Sequence, residues 1–203
     1  LWTVTGVSCY GIVEYEKRVT DPYIIWDRLE ILFGGASDIR VDVGSYVRIY
    51  FRVVREYDYV LFDGADGVVY INGTQASWDP INQSWYVEVR HDSVGGWNYL
   101  ASSIIDDEYG ITTLDDLVGS QLVIWDRVLI TLSIVDDRID VGSMLNYSFV
   151  ALYEYDGVDA TGYVSITLND TLTKSRVGRY GYTVSSISES QYGLKAFLSN
   201  NLS

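Results

Sequence analysis

The chain repeats itself at intervals of 97 to 99 residues, and this constrains its fold more than any other feature. Ile25-Trp26-Asp27-Arg28-Leu29 returns as Ile124-Trp125-Asp126-Arg127-Val128 at an offset of 99. Val41-Asp42-Val43-Gly44-Ser45 returns as Ile139-Asp140-Val141-Gly142-Ser143, and Glu56-Tyr57-Asp58 as Glu154-Tyr155-Asp156, both at 98; Asn72-Gly73-Thr74 matches Asn169-Asp170-Thr171 at 97. An ordered series whose spacing drifts by single residues marks divergent tandem units. A third, partial copy sets the phase. Tyr10-Gly11-Ile12 and Tyr109-Gly110-Ile111 each begin 16 residues before a tryptophan, and Tyr192-Gly193-Leu194 places a further one near position 208. The chain therefore divides into terminal strands of a preceding repeat, or donor strands, at 1–21, one repeat at 22–118 and a second at 119–203.

Each repeat reads as β. Val47, Ile49, Phe51 and Val53 alternate with Arg48, Tyr50 and Arg52, and Leu145, Tyr147, Phe149 and Ala151 alternate with Asn146, Ser148 and Val150, the period of a half-buried strand. Short β-branched and aromatic runs punctuated by Asp-Gly, Asn-Gly and Gly-Gly fit about seven strands per repeat. The expected fold is all-β: two tandem immunoglobulin-like antiparallel β-sandwich domains preceded by a terminal hairpin of another repeat. Asp27 shares parity with Ile25, Leu29 and Ile31, and Asp126 with Ile124, Val128 and Ile130. A buried unpaired carboxylate is costly, so the strand should switch sheets there or satisfy the Asp with main-chain amides or an Arg. Trp26, Asp27, Trp125 and Asp126 are therefore expected at domain-junction packing.

Charge removes whole classes of partner. With 14 Lys+Arg against 28 Asp+Glu the net charge is −14, which repels nucleic acid and anionic lipid. At 48% hydrophobic and 21% charged, the chain is too apolar for a disordered acidic tail. No apolar stretch is long enough for a membrane span. Cys9 is the single cysteine, so no intrachain disulfide framework exists, and His91 is the single histidine, so no histidine metal cluster or repeated acid–base machinery exists. No nucleophile-elbow pattern surrounds any serine. The reading is non-catalytic, with no cofactor. Asp106-Asp107-Glu108, Asp115-Asp116, Asp136-Asp137 and Asp58 with Asp63 and Asp66 raise calcium as a candidate partner, although no EF-hand spacing is present.

Five of the seven asparagines head an N-x-S/T sequon: Asn72, Asn82, Asn146, Asn169 and Asn201. That excess points to an exported glycoprotein carrying N-linked glycans, with Asn-Gly turn chemistry as the plain alternative. The first repeat also carries about 14 residues that the second lacks between its Asn-Gly turn and its Tyr-Gly hairpin. Trp78, Trp85 and Trp97 lie there with His91, as a candidate ligand or partner surface or as an extension of the core.

The recurring Ile-Trp-Asp-Arg, the Asp-Val-Gly before a long strand, Tyr153-Glu154-Tyr155-Asp156-Gly157, Leu168-Asn169-Asp170 and Tyr192-Gly193-Leu194 resemble tandem immunoglobulin-like repeats of archaeal cell-surface glycoproteins. The resemblance implies an extracellular structural protein of a surface layer, filament or stalk, whose partners are neighbouring repeats of the same protein or further copies of it. Two alternatives accompany it: a filament subunit assembling by donor-strand addition through residues 1–21, and a carbohydrate-binding accessory module of an extracellular enzyme.

Overall fold

The computed structural model describes residues 24–116, 118–136 and 138–202. The expected hairpin at 1–21, with Cys9, lies outside the described residues. Among those described the chain is all β, with no helix. In chain order the strands are β1 (Leu29–Ala36), β2 (Arg40–Asp42), β3 (Tyr46–Arg55), β4 (Gly67–Ile71), β5 (Thr74–Gln75), β6 (Ser77–Asp79), β7 (Ser84–Arg90) and β8 (Gly95–Tyr99). They continue as β9 (Ala101–Asp106), β10 (Leu114–Asp116), β11 (Gln121–Asp126), β12 (Val128–Ile134), β13 (Tyr147–Tyr153), β14 (Val164–Leu168), β15 (Val184–Glu189) and β16 (Phe197–Leu202).

Three sheets enclose a first core, in the orders β10-β1-β3-β7-β6, β5-β4-β9 and β2-β11-β8, and two enclose a second, β13-β12-β16 and β14-β15. The alternation in β3 sets the first core: Val47, Ile49, Phe51 and Val53 are essentially inaccessible, while Arg48, Tyr50 and Arg52 face outward. In β13 the same parity buries Ala151 and Tyr153 and leaves Ser148 and Val150 exposed. The repeats share a less common pairing. After the Tyr-Gly turn, β10 returns parallel to β1 with Leu114 opposite Leu29, and β16 returns parallel to β12 with Phe197 opposite Val128. The extra residues of the first repeat form β6 and β7, which widen its main sheet beyond β3.

β11 decides how the repeats are joined. It lies between β2, to which it runs parallel, and β8, to which it runs antiparallel, so it completes a sheet of the first repeat. Its inward residues Val123 and Trp125 are fully buried in the first core. At Asp126 the chain leaves that sheet, and at Val128 it starts the central strand of the second core. The boundary expected between residues 118 and 119 thus falls ahead of a strand that packs with the first repeat. The Trp125 indole donates to the Ser45 carbonyl at 2.8 Å and meets Trp97 edge-on at 5.5 Å. Trp26, its sequence counterpart, is 83% exposed.

Large-to-small truncation of a buried aromatic costs about 3–5 kcal/mol, whereas an exposed site away from special features costs within about 0.5. Trp125→Ala should therefore destabilise the first core by about 3–5 kcal/mol in denaturant unfolding, and Trp26→Ala in dilute solution should leave the midpoint nearly unmoved.

Candidate functional site at the repeat junction

The two Trp-Asp-Arg motifs build the same local structure. Asp27 Oδ1 accepts the main-chain N–H groups of Arg28 at 2.8 Å and Tyr57 at 3.0 Å; Asp126 Oδ1 accepts those of Arg127 at 2.8 Å and Tyr155 at 3.0 Å. This answers the parity problem, because an inward carboxylate is satisfied by the amides freed where the strand changes sheet. The next residue adds a clasp. The Arg28 guanidinium forks onto Glu56, and that of Arg127 onto Glu154, with Nη2 to Oε1 at 3.0 Å in both. The Glu56 and Glu154 N–H groups in turn donate to the Arg28 and Arg127 carbonyls at 2.9 and 3.0 Å. Trp-Asp-Arg and Glu-Tyr-Asp are thus two halves of one device, about 30 residues apart in each repeat.

Among the described residues, cover is found over the second copy of this device, and residues of the first repeat supply it. Arg40 of β2, 8% exposed, reaches Asp156 with Nη2 and lies 3.7 Å from Asp126 Oδ2 with Nε. Its guanidinium sits 4.8 Å from the Tyr153 ring centroid and 4.9 Å from that of Tyr192. Two residues on, Asp42 Oδ1 accepts the N–H groups of Lys195 and Ala196, both at 2.7 Å, at the threshold of β16. Gly96 of β8 approaches Tyr155 so closely that a Cβ there would stand 2.8 Å from the phenol oxygen. Burial pushes the Asp126 carboxyl up, since Oδ2 has no hydrogen bond to offset it. Burial works in the same direction on Asp156, but the Arg40 contact outweighs it and holds that carboxyl below the usual range.

The aromatic insertion turns inward. Trp85 is 2% exposed and donates to the Phe62 carbonyl at 2.8 Å, and Trp78 packs on it at 5.5 Å between centroids. Trp97 stacks on His91 at 3.8 Å, and His91 meets Trp125 edge-on at 4.7 Å. Burial lowers the His91 pKa, and Nε2 lies 2.8 Å from the Tyr99 hydroxyl. Of the two readings of this insertion, the packing follows the extension of the core: Trp85 is buried in the first core, Trp78 and Trp97 pack against it, and Trp97 meets Trp125.

Three of the acidic residues meet a cation from the chain itself. Asp66, Asp106 and Glu108 converge on Arg55 Nη2 at 3.3, 3.6 and 2.8 Å. Among the described residues no group of three or more His, Cys, Asp or Glu side chains is arranged to hold a metal ion. In the second repeat Tyr153 stands in the place of Arg55, and its hydroxyl donates to Glu189 Oε1 at 3.0 Å. Glu189 also accepts the N–H groups of Gln191, Tyr192 and Leu194, so that main-chain donors outweigh burial and keep its carboxyl below the usual glutamate range.

The sequon asparagines fall into different settings. Asn72 donates through Nδ2 to the Asn98 carbonyl at 2.8 Å and accepts the Leu100 N–H at 2.9 Å; Asn169 does the same with Gly181 at 3.3 Å and Thr183 at 2.9 Å. Asn82 donates to Asp79 Oδ2 at 2.9 Å, Asn146 is exposed just ahead of β13, and Asn201 lies in β16. Sequence reasoning found Asp126 but missed Arg40, Arg55 and Glu189. The partners of Arg40 lie more than 80 residues away, and no local pattern announces them.

No protein-family model, no curated protein and no solved structure matches this chain. No helix among the described residues is long and apolar enough to cross a membrane.

Removing one partner of a buried charge pair leaves the other uncompensated, and Asp156 at 33% exposure moderates that penalty. Arg40→Leu should cost about 2–4 kcal/mol and split the calorimetric unfolding of the two cores into separate transitions. Glu189 gives a pH test. Its folded pKa is depressed, so its stabilisation is present above the unfolded glutamate pKa of about 4.3 and is lost as pH falls through the lower folded value. Glu189→Gln should lower stability at neutral pH by about 1–3 kcal/mol and flatten the acid limb of the stability–pH curve.

Proposed function

We propose that this chain is a non-catalytic structural segment of an extracellular surface assembly, made of two tandem immunoglobulin-like sandwiches. The observation that carries the reading is β11, a strand placed in one core and continuous with the central strand of the next. A junction built this way contains no free linker. A pull on one repeat reaches the other through hydrogen-bonded strands and through the Arg40 and Asp42 contacts, which suits a stalk, filament or lattice that must keep its spacing under load.

The acidic surface and the sequons fit export, as in the archaeal cell-surface glycoproteins that the sequence resembles. Among the sequons Asn146 is the first expected glycan carrier. The amides of Asn72 and Asn169 fasten turns to the following segment, and that of Asn82 holds Asp79, so a sugar on any of the three competes with a hydrogen bond. The accessory sugar-binding alternative loses its main support, because Trp85 is buried and Trp78 and Trp97 pack against the core. Donor-strand addition through 1–21 lies outside the described residues.

The test is intact mass, glycopeptide mapping and electron microscopy of the native material. The expected result is regular lattices, filaments or stalks, with a glycan mass at Asn146. Unglycosylated, freely dispersed particles without regular order would overturn the reading.

A further inference from the structure

We propose that residues 24–27 of a second copy of this chain dock in an open slot on the second repeat. Copies would then join head to tail through the junction that already joins the two repeats. The inference rests on the tandem-repeat reading above and names the partner and the surface.

The template is β11, held between β2 and β8 with Val123 and Trp125 inward. At the other end of the chain, Ile24 and Trp26 hold the same two positions relative to their Asp-Arg, and they are 64% and 83% exposed. Ile25, which matches the outward Ile124, is the least exposed of the three at 44%. Among the described residues nothing covers the side chains that a core would take, an arrangement unfavourable for a permanently exposed segment.

The second repeat holds the other half of the arrangement. Ile139 and Val141 occupy the places of Val41 and Val43, which pack against the first core, but they are 43% and 52% exposed. The turn beneath them is already formed. Ser143 N–H donates to the Asp140 carbonyl at 3.0 Å and Gly142 N–H to Lys174 at 2.8 Å, matching Ser45 to Asp42 at 3.0 Å and Gly44 to His91 at 2.7 Å. Gly44 and Gly142 have φ of 85° and 90°, a conformation that favours glycine. The far wall is residues 178–182, which correspond to β8 through the shared clasp of Asn72 and Asn169. There Tyr180 stands in the place of Trp97, with Lys174 Nζ 4.7 Å from its ring, and is the aromatic neighbour available to an incoming indole.

A separate observation at the first repeat points the same way. An open cleft is lined by Trp26, Asp27, Arg28, Glu56, Tyr57 and Thr113. The equivalent surface of the second repeat is covered by Arg40 and Asp42. In the docked pair, Arg138 and Asp140 of one copy enter this cleft on the other, a cation toward an acidic rim and a carboxylate toward main-chain amides. The donor and acceptor surfaces differ and lie on different repeats, so the contact is heterologous and propagates into open chains. Main-chain pairing supplies affinity, and the Ile24 and Trp26 side chains set the register.

Sedimentation velocity on the wild-type chain and two variants tests this. Trp26→Ala removes the donor and Ile139→Asp spoils the acceptor, and both sites are exposed, so the fold is retained. The wild type should form concentration-dependent species larger than a dimer. Each variant alone should stay monomeric, and an equal mixture should stop at a dimer, because the intact slot of Trp26→Ala takes the intact strand of Ile139→Asp. A monomeric wild type at high concentration, oligomers that survive in either variant, or a mixture that stays monomeric would overturn the proposal. Regular order in the native material alongside a monomeric chain would remove this inference alone and leave the structural reading in place; absence of both would remove the two together.

Discussion

The molecule depends on the burial of one indole in a core that its own repeat does not build. Trp125 stands at the threshold of the second repeat, yet its side chain is surrounded by His91, Trp97 and Tyr99 of the first. A buried tryptophan removes about 150–250 Å² from water, worth about 4–6 kcal/mol as an upper estimate, comparable with the net stability of a small domain. The first core is therefore incomplete until the chain has run past residue 125. Arg40, Asp42 and Gly96 can then be placed against the second core by β2 and β8, which flank the inserted strand.

An acidic chain must also manage its carboxylates, and this one does so with few cations. The inward Asp of each Trp-Asp-Arg is met by two main-chain N–H groups and needs no cation to satisfy Oδ1. Asp106 and Glu189 occupy equivalent turns and accept amides from the residues that follow them. The two buried arginines sit where several carboxylates meet, Arg55 within the first repeat and Arg40 between repeats. A guanidinium offers several donors in a fixed plane and stacks on aromatic rings, so Arg40 can serve Asp156 and Tyr153 together, a combination that an ammonium group would not reproduce. Around Arg55, three of the carboxylates that suggest calcium in sequence share one guanidinium from the chain itself.

Much of this is legible in the sequence. The repeat offsets and the alternation in β3 and β13 require β structure with the observed inward residues, because side-chain period and burial are the same fact in a strand. The misplaced parity of Asp126 marks where the chain changes sheet. Other features could not be read. A Trp-rich insertion has the same composition whether it faces water or core, and only the pairing of β7 with β3 turns Trp85 inward. The boundary was set by the Tyr-Gly hairpin, which gives the phase of the repeat but not the sheet that β11 joins. Asp42 stands in a motif plain to see, yet the amides it accepts are more than 150 residues away, a distance over which sequence pattern carries no signal.

The central claim is that β11 belongs energetically to the core before it. Native-state hydrogen exchange of the Val123, Ile124 and Trp125 amides tests this most directly, read in a chain whose second core is weakened by Leu132→Ala. If the account is right, these amides keep the protection of β8 while those of β12 and β13 lose theirs. Loss of protection in β11 together with β12 would show that the strand is held by the second repeat, and would contradict it.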